Sequence, residues 1–333
     1  MGAAKLERGD RFALFWGGGL GDVLVIRPLL LALEAALNHP PYFFTTATHL
    51  QGLFPDLGLR AELHVLPKRA GAAWRSIRNL GFELDWLYLG AYPRFKTRLL
   101  AQIVGAKHIW SVRHGDVDPF LGEQVLADVR ALGLNTPSSS FLAYGGAWNV
   151  PDGKKERHAY LLLHPGVKPG WQTKQWPDVC WSDLMRNLLS GSDLDLMLVG
   201  TPGEAAHLTA LVAGLDTVSR QRVHLRTELS LQALAATVRQ SHGVICHNSG
   251  VLHLAAMLGR PTLSLTGSSP HYWRPPYPHV LNLSSGACNL ACDQYRCPVP
   301  FYRARCIREL SVTTVMAAAQ THLLAGSRPA TAS

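Results

Sequence analysis

The stretch 244–268 constrains the fold of this chain more than any other, because its residue pattern changes character several times. An apolar run ends in the small polar residues 248–250, and an apolar helical pattern follows over 251–258. Gly259 and Pro261 are typical of a helix end, and a second apolar run begins directly after them. This order predicts a strand, a tight polar turn, a helix and a second strand, which together form a parallel crossover unit.

The polar turn of this unit has the features of an anion site. It places backbone N–H groups at the N-terminus of a helix, where they attract an anion such as a pyrophosphate. Asn248 or Ser249 can cap the helix, Gly250 leaves room for a ligand, and His253 falls in the first two turns, facing the same crevice. An ordinary capped crossover without a ligand fits this one stretch equally well.

Composition narrows the classes of protein to which the chain can belong. A length of 333 residues, 47% hydrophobic and 17% charged, is typical of a globular protein of about two domains. No apolar run approaches the roughly 18 residues that span a bilayer, and the N-terminus lacks the apolar core of a signal peptide, so the expected compartment is the cytoplasm. The net charge of +9 favours an anionic ligand or an anionic membrane face, and no nucleic-acid-binding motif accompanies it.

The first glycine-rich turn, 17–21, lies between a predicted buried strand at 11–16 and an apolar helix at 23–37. Its glycines allow the backbone to approach a ligand closely. Their spacing is not G-x-G-x-x-G, which disfavours a nicotinamide-dependent oxidoreductase. Asp22 stands at the N-terminus of the helix, where it is either a helix cap or a carboxylate base at the mouth of the sheet.

Strands and helices alternate along the chain, which predicts an α/β protein with open, mostly parallel sheets. A linker bracketed by polar, proline-containing segments separates two such halves. The predicted domains are 1–150 and 151–310. A C-terminal helix at 311–325, which we expect to pack back toward the first domain, and a flexible tail at 326–333 follow them.

Polar loops follow the predicted strands of both halves, at the sheet edge where ligands of parallel sheets bind. In the first half these loops carry many basic residues, most of them solvated, with Arg69 and Arg94 as candidates to hold phosphates or carboxylates of an acceptor. In the second half, loops at 164–175, 200–204 and 247–250 follow three predicted strands. Their common edge offers a site of the size of a nucleotide.

Four cysteines cluster near the C-terminus with the spacing C-x3-C-x4-C-x8-C, at Cys288, Cys292, Cys297 and Cys306. Clustered thiols in a cytosolic chain favour a metal over disulfides, although this spacing is looser than that of paired C-x2-C motifs. A structural Zn or Fe site and a set of free thiols are both compatible with the pattern.

Several motifs taken together resemble glycosyltransferase family 9, the family of the lipopolysaccharide heptosyltransferases. The matching residues are Gly19-Leu20-Gly21-Asp22 with Pro28, His164-Pro165-Gly166 with Lys174 and Trp176-Pro177, Gly200 with Pro202 and Glu204, and Asn248-Ser249-Gly250 with His253, Gly259, Pro261 and Thr266-Gly267. Any one of these motifs is weak, but their order and spacing across nearly the whole chain are fairly specific.

The resemblance implies a GT-B architecture, in which two Rossmann-like domains with parallel sheets face each other across a cleft. It implies an inverting, metal-independent transfer of a heptose from ADP-heptose to the inner core of lipopolysaccharide, with no cofactor required for catalysis. The first domain would bind the acceptor and the second the nucleotide sugar. A peripheral contact with the cytoplasmic face of the inner membrane is expected, and a nucleic-acid partner is not.

Each motif then has a role in the transfer. Asp22 is the candidate base, and Lys174 with the N–H groups of residues 249–251 would stabilise the departing diphosphate. The donor-site candidates are His164, Gly166, Lys174, Glu204, Asn248, Ser249, Gly250 and His253. The acceptor-site candidates are Gly19, Gly21, Arg69 and Arg94.

One departure from the family pattern concerns the donor site. The family usually has Asp where this chain has Asn248, which can hydrogen-bond a sugar hydroxyl but carries no charge. The alternatives are therefore a divergent member that uses another nucleotide sugar, and a non-catalytic protein that binds a nucleotide sugar.

Overall fold

The chain divides into two compact units, Met1–Trp148 and Asn149–Ser333, and each has its own sheet and hydrophobic core. The structure is a computed structural model. It describes residues 5–16, 18–81, 83–90, 104–111, 120–135, 156, 158–167, 170–267, 269–288, 292, 297–299 and 303–325.

The first unit is built on a parallel sheet of short, largely apolar strands. These strands are β1 Phe12–Phe15, β2 Tyr42–Thr45, β3 Glu62–Val65, β4 Trp86–Leu89 and β5 His108–Ser111. They pair in the order β3-β2-β1-β4-β5, and all four pairings are parallel. Its described helices are α1 Leu20–Ala36, α2 Leu53–Asp56, α3 Ala70–Arg78 and α4 Leu121–Ala131.

Helix α1 is apolar on nearly every side, as expected of a helix that is buried almost throughout, and it packs against α4. Leu24, Ile26 and Leu30 are completely buried, and Pro28 lies inside the helix without ending it. Helix α1 begins directly after the turn that follows β1. Its N-terminus therefore lies at the carboxyl edge of the sheet, where the sequence predicts a ligand.

The second unit repeats this plan with a larger sheet. Its strands are β6 Tyr160–His164, β7 Asp195–Val199, β8 Val223–Arg226, β9 Gly243–His247, β10 Thr262–Leu265 and β11 Val280–Leu283. They pair in the parallel order β11-β10-β9-β6-β7-β8. Its described helices are α5 Asp178–Gly191, α6 Ala205–Ala213, α7 Thr217–Gln221, α8 Leu231–Gln240, α9 Gly250–Met257, α10 Arg305–Arg308 and α11 Val312–His322.

Both sheets reverse their strand order beside their first strand. In the first sheet the order changes direction between β1 and β4, and in the second it changes between β6 and β9. Loops on the two sides of such a point leave in opposite directions, so a crevice opens at the carboxyl ends of these strands. The strands that form the second crevice share a hydrophobic core, which includes Leu161, Ile245 and Leu263 on neighbouring strands.

The C-terminal helix α11 packs on the second unit, and the expectation that it also packs back toward the first stays a prediction. Its buried residues Val315 and Ala319, with Leu323 just after its end, are four positions apart and lie on one side. That side belongs to the core of the second unit and lies against α5 and β10.

Strand β11 is not predicted from the sequence. Pro275, Pro276 and Pro278 come just before it, and only four residues pair with β10, so its pattern is that of a loop. Within the described parts of the chain, no helix combines the length and the apolar character that crossing a membrane requires.

Candidate functional site

The carboxyl edge of the second sheet brings most of the predicted donor-site residues together. His164 is the last residue of β6, and Asn248 and Ser249 directly follow β9, its neighbour in the sheet. Glu204 ends a 3-10 turn after β7, which pairs with β6 on its other side. These loops flank the point where the strand order reverses, which is where doubly wound sheets bind their ligands.

Ser249 links the ends of β6 and β9. Its hydroxyl lies 3.3 Å from Nδ1 of His164, and its backbone forms the N-cap of α9 without a side-chain capping bond. The Asn248 amide donates to the carbonyl of Trp273 at 3.1 Å instead of capping the helix. Ser249 therefore occupies the N-cap position, as the sequence predicts, but neither side chain caps α9, and a helix that begins without a side-chain cap suits an external anion.

Gly166 and Glu204 lie in direct contact across two loops. A Cβ atom built on Gly166 would lie 1.9 Å from Oε1 of Glu204, so only glycine fits beside this carboxylate. Oε2 of Glu204 accepts hydrogen bonds from the backbone N–H and the hydroxyl of Thr201, at 2.7 and 2.8 Å. These bonds hold the carboxylate at the mouth of the β6 loop, within reach of a polar ligand.

His164 is neutral at physiological pH. Burial lowers its pKa from the ordinary histidine value, and the nearby Glu204 carboxylate opposes that shift only in part. A neutral imidazole can both donate and accept a hydrogen bond. His164 and Ser249 therefore offer a ligand hydrogen bonds without placing a full charge at the centre of the edge.

His247 is a part of the site that the sequence analysis does not single out. It is completely buried, and its Nε2 accepts a hydrogen bond from the backbone N–H of Trp176 at 3.0 Å. Burial, with a smaller contribution from His164, lowers its pKa to about 3, so the ring stays neutral and can accept this bond. Its signal in the sequence is a histidine at the end of an apolar strand, directly before Asn248.

Trp176 completes the anchor of the loop after β6. Its indole N–H donates to the carbonyl of Leu310 at 2.8 Å, and its ring packs edge-on against Trp181. The tryptophan of the K-x-W-P motif is therefore a structural residue that fixes the preceding turn. That turn, Gln172–Lys174, carries the predicted phosphate-binding lysine.

Lys174 is the cation of this edge, and His253 lies beside it. Nζ of Lys174 lies 4.3 Å from the ring centroid of Trp171, a cation–π contact that orients the half-buried lysine. Burial, and then the charge of Lys174, lower the pKa of His253 to about 3. The neutral His253 ring packs edge-on against Trp273, with ring centroids 6.0 Å apart. Lys174 therefore supplies the charge, and His253 a neutral side chain next to it.

Asp22 lies at the carboxyl edge of the first sheet, as the sequence predicts. Its Oδ2 accepts a hydrogen bond from the backbone N–H of Gly19 at 2.7 Å, and Gly19 is the N-cap residue of α1. The indole of Trp16 donates to the Asp22 carbonyl at 2.8 Å, which fixes the turn. Asp22 thus closes the helix end, and its half-buried carboxylate remains a candidate base.

Glycines make the first turn tight. A Cβ atom on Gly18 would lie 2.6 Å from the Cβ of Ala47, and one on Gly19 would lie 2.9 Å from Oδ2 of Asp22. Gly21 is buried in the first turn of α1. These contacts give the glycines a packing role, and the proposal that Gly19 and Gly21 admit an acceptor remains a prediction.

Of the two basic acceptor-site candidates, one lies within the described residues. Arg69 is exposed at the N-terminus of α3, close in sequence to the exposed Lys68 and Arg75. Arg78, at the other end of this helix, stacks over the Trp74 ring at 5.2 Å. Arg94 lies outside the described residues.

The structure does not gather the four cysteines into a metal site. Cys288, Cys292 and Cys297 are half-buried, Cys306 is buried, and none forms a disulfide. Sγ of Cys297 donates to the carbonyl of Val299 at 3.3 Å. Among the described residues, no three His, Cys, Asp or Glu side chains stand close enough to hold an ion. The donor set as described does not fit a Zn or Fe site.

Two doubly wound parallel sheets define an α/β protein of the Rossmann type. The second sheet has a lysine, neutral histidines and an uncapped helix N-terminus at its switch point. Within that class the chain belongs to glycosyltransferase family 9, the heptosyltransferase family. Residues 134–302, about half of the chain, match the sequence profile of this family. The resemblance stated from the motifs is therefore confirmed.

Curated relatives match over part of their length. Lipopolysaccharide heptosyltransferase 1 of Pseudomonas aeruginosa is 30% identical over 108 residues, which cover 32% of this chain and 28% of that protein. Lipopolysaccharide heptosyltransferase 2 of Escherichia coli K12 is 26% identical over 126 residues, covering 37% of this chain and 36% of the relative. The matched stretch thus spans about a third of these relatives.

Solved structures of similar fold match over nearly the whole chain. A glycosyl transferase of family 9 from Veillonella parvula has a TM-score of 0.65 at 18% identity, covering 97% of this chain and 100% of that structure. Escherichia coli heptosyltransferase WaaC with ADP-2-deoxy-2-fluoro heptose has a TM-score of 0.61 at 17% identity, covering 93% and 99%. The iron-containing dodecameric heptosyltransferase TibC has a TM-score of 0.58 at 15% identity, covering 96% and 78%. The predicted fold class, GT-B with two Rossmann-like parallel-sheet domains, is confirmed.

Proposed function

We propose that the chain is an inverting glycosyltransferase that transfers a heptose from ADP-heptose to the inner core of lipopolysaccharide. Family membership supports the reaction class, and the names of the relatives support the donor and the acceptor. The observation that carries the proposal is the contact of His164 with Ser249 and of Gly166 with Glu204 at one sheet edge. This edge has the polar groups that a nucleotide sugar requires.

The donor would bind through neutral groups at its sugar and ribose and through positive groups at its diphosphate. Glu204 suits hydroxyl groups of the ribose, because its fixed carboxylate accepts hydrogen bonds. The uncapped N–H groups at the start of α9, at Gly250 and Val251, and the Lys174 ammonium suit the diphosphate. Asn248 and His164 would contact the sugar or the phosphate as neutral partners.

In the proposed reaction the acceptor hydroxyl attacks the anomeric carbon of the heptose. Asp22 takes the hydroxyl proton, a bond forms between the acceptor oxygen and the anomeric carbon, and the bond from that carbon to the diphosphate oxygen breaks. ADP leaves with the electron pair, and Lys174 stabilises its new charge. Gly19, Gly21, Arg69 and Arg94 are the proposed acceptor side.

The remaining assignments are part of the same proposal. We infer that the lysine and the amide dipoles stabilise the charge of the diphosphate, so that transfer needs no metal ion. We also infer that the protein acts in the cytoplasm with a peripheral contact to the inner membrane. A structural Zn or Fe at the cysteines draws support from their spacing and from the iron named for TibC, but not from the described positions of the thiols. Metal analysis of the purified, reduced protein tests this part.

A second candidate is a protein that binds a nucleotide sugar without transferring it, or that uses a different sugar. Two observations favour it. Asn248 places a neutral amide, already bonded to Trp273, where the family motif has Asp, and the Asp22 carboxylate is engaged by Gly19.

The decisive experiment is a screen of nucleotide sugars against core-oligosaccharide acceptors, with products read by mass spectrometry. We expect ADP release that requires both ADP-heptose and the acceptor. Transfer of another sugar would redirect the proposal to a divergent donor. Tight ADP binding by calorimetry without any transfer would favour the binding protein.

A further inference from the structure

The loop that follows β10, described over 266–267 and 269–274, contains two buried hydrogen-bond donors without an acceptor among the described residues. They are the hydroxyl of Ser269, a residue that is only 3% exposed, and Nε of Arg274. A buried donor without an acceptor costs free energy until a ligand or a water molecule supplies one. The loop is therefore suited to an acceptor-rich group.

Arg274 also carries a charge that no carboxylate neutralises in the described part of the chain. One N–H of its guanidinium donates to the carbonyl of Gly267 at 3.1 Å, and its ionisable neighbour is the Cys306 thiol. Burial lowers the pKa of Arg274, yet a guanidinium stays protonated in proteins. A half-buried cation without a counter-ion is unfavourable until an anion binds beside it.

The loop lies against the turn that carries Lys174. Gly267 has a left-handed backbone with φ of +54°, and a Cβ atom on it would lie 3.5 Å from the carbonyl oxygen of Thr173. Thr173 directly precedes Lys174 in the same 3-10 turn. The carbonyl to which Arg274 donates thus belongs to a residue that lies close to the lysine turn.

The other end of the loop contacts the turn after β9. The carbonyl of Trp273 accepts the Asn248 amide, and the Trp273 ring packs on His253. Trp273 directly precedes Arg274, so the arginine follows a residue fixed at the donor edge. The loop therefore spans from the lysine turn to the N-terminus of α9, with Ser269 between these two contacts and Arg274 directly after the second.

We propose that Arg274 and Ser269 form an anion subsite that binds a phosphate of the donor's nucleoside diphosphate together with Lys174. The inference rests on the proposed function, because it adds a second cation to the same donor edge. Two cations suit a diphosphate better than one, since the group carries several negative charges and gains another when it leaves. Arg274 acts as a binding residue that stabilises this charge.

Calorimetric titration of the full chain with ADP and with AMP tests the subsite. We expect Arg274→Gln to weaken ADP binding by about 10- to 100-fold, the usual effect of losing a charged hydrogen bond, and to affect AMP much less. Arg274→Lys should restore part of the affinity. Ser269→Ala should weaken ADP binding several-fold while the ligand-free protein keeps or gains thermal stability, because an unpaired donor is removed.

Arg260→Gln is the matched control. Arg260 is also half-buried and donates to backbone carbonyls, those of Ser241 and His242, but it precedes β10 and lies at the opposite edge of the sheet. ADP binding should be unchanged in this variant. An equal loss in both arginine variants would overturn the subsite and assign Arg274 a structural role.

The remaining outcomes separate this inference from the function on which it rests. Wild-type binding of ADP with equal affinity in Arg274→Gln overturns the subsite alone. A change confined to the acceptor KM overturns it as well, because the anion would then belong to the acceptor. Failure of the wild-type chain to bind ADP overturns the proposed function. If Arg274→Gln does not fold, the ADP affinity of Ser269→Ala decides the matter.

Discussion

The turns after β1 and β9 both connect a strand to a helix at the switch point of a parallel sheet, yet they treat the helix end differently. After β1, the Asp22 carboxylate folds back onto the N–H of Gly19, so α1 already has an anion at its N-terminus. After β9, the Ser249 hydroxyl faces His164 and the Asn248 amide donates to the carbonyl of Trp273, so α9 begins without an anion at its N-terminus. A helix N-terminus remains an anion site only where its own residues do not already satisfy it.

The largest expected difference between the two units is their response to acid. His247 and His253, both in the second unit, have pKa values of about 3, below the unfolded value of about 6.5. The unfolded chain therefore binds more protons than the folded chain does. The stability that the two neutral histidines contribute is fully present above pH 6.5 and is lost as the pH falls toward 3. Below pH 6.5 each histidine lowers the free energy of unfolding by about 1.4 kcal/mol per pH unit. At pH 5 the two together lower it by about 4 kcal/mol.

Two carboxyls of the first unit have the opposite linkage, whereas Asp85, whose pKa is lowered by hydrogen bonds from Arg11 and Lys107, follows the direction of the histidines. Burial raises the pKa of the Glu34 and Asp128 carboxyls, so their unfavourable ionisation is relieved as the pH falls through the folded pKa. Hydrogen exchange at pH 7 and pH 5, corrected for intrinsic rates, should show loss of protection at β6 and β9 before β1 and β4. Simultaneous loss in both sheets would contradict the comparison.

Removing the charge of the first turn tests whether Asp22 is more than a helix cap. We expect Asp22→Asn to lower turnover by about 100-fold, the usual worth of a positioned base, with ADP binding intact. Asp216→Asn is the matched control, since Asp216 accepts from the N–H of Ser219 at 2.9 Å as a cap in the second unit. Unchanged turnover in Asp22→Asn, or an equal fall in both variants, would remove Asp22 from the reaction.

A larger side chain at position 166 tests the contact of Gly166 with Glu204 at the carboxyl edge of the second sheet. In Gly166→Ala the new methyl group must displace the carboxylate from its bonds to Thr201, and we expect a loss of about 1–3 kcal/mol, divided between stability and ADP affinity. Gly203→Ala, in the turn that carries Glu204, is the control, because the nearest atom to its Cβ lies at 3.9 Å. Thermal melting with and without ADP separates the two contributions, and equal behaviour of both variants would contradict the contact.

The sequence could predict the parallel sheets because their strands are short apolar runs that alternate with helical periodicity. It could also predict which loops meet, since the carboxyl ends of parallel strands share one edge. It could not predict the partners of individual side chains. Whether Asn248 caps α9 or bonds Trp273 depends on a loop that folds back from 25 residues further along the chain.

One further miss, His247, has the same origin, and so does the unpredicted packing side of α11. His247 anchors Trp176 through a long-range contact, and no local pattern distinguishes it from any histidine at a strand end. The packing side of α11 is set by the surface that β10 and α5 leave uncovered, which periodicity along α11 alone does not reveal. Local periodicity thus predicts elements and edges, and tertiary packing decides which atoms meet there.

The smallest expected effect comes from making the second turn resemble the first. Ser249→Asp places a carboxylate at the N-cap of α9, where it would accept from the free N–H groups and neutralise the helix end. We expect ADP affinity to fall by about 10-fold, because the internal anion competes with the diphosphate, while the melting temperature of the ligand-free protein rises slightly. Ser249→Asn, a neutral cap of similar size, should retain most of the ADP affinity. If Ser249→Asp binds ADP as tightly as the wild type, the N-terminus of α9 is not the diphosphate site, and the difference between the two turns has no bearing on donor binding.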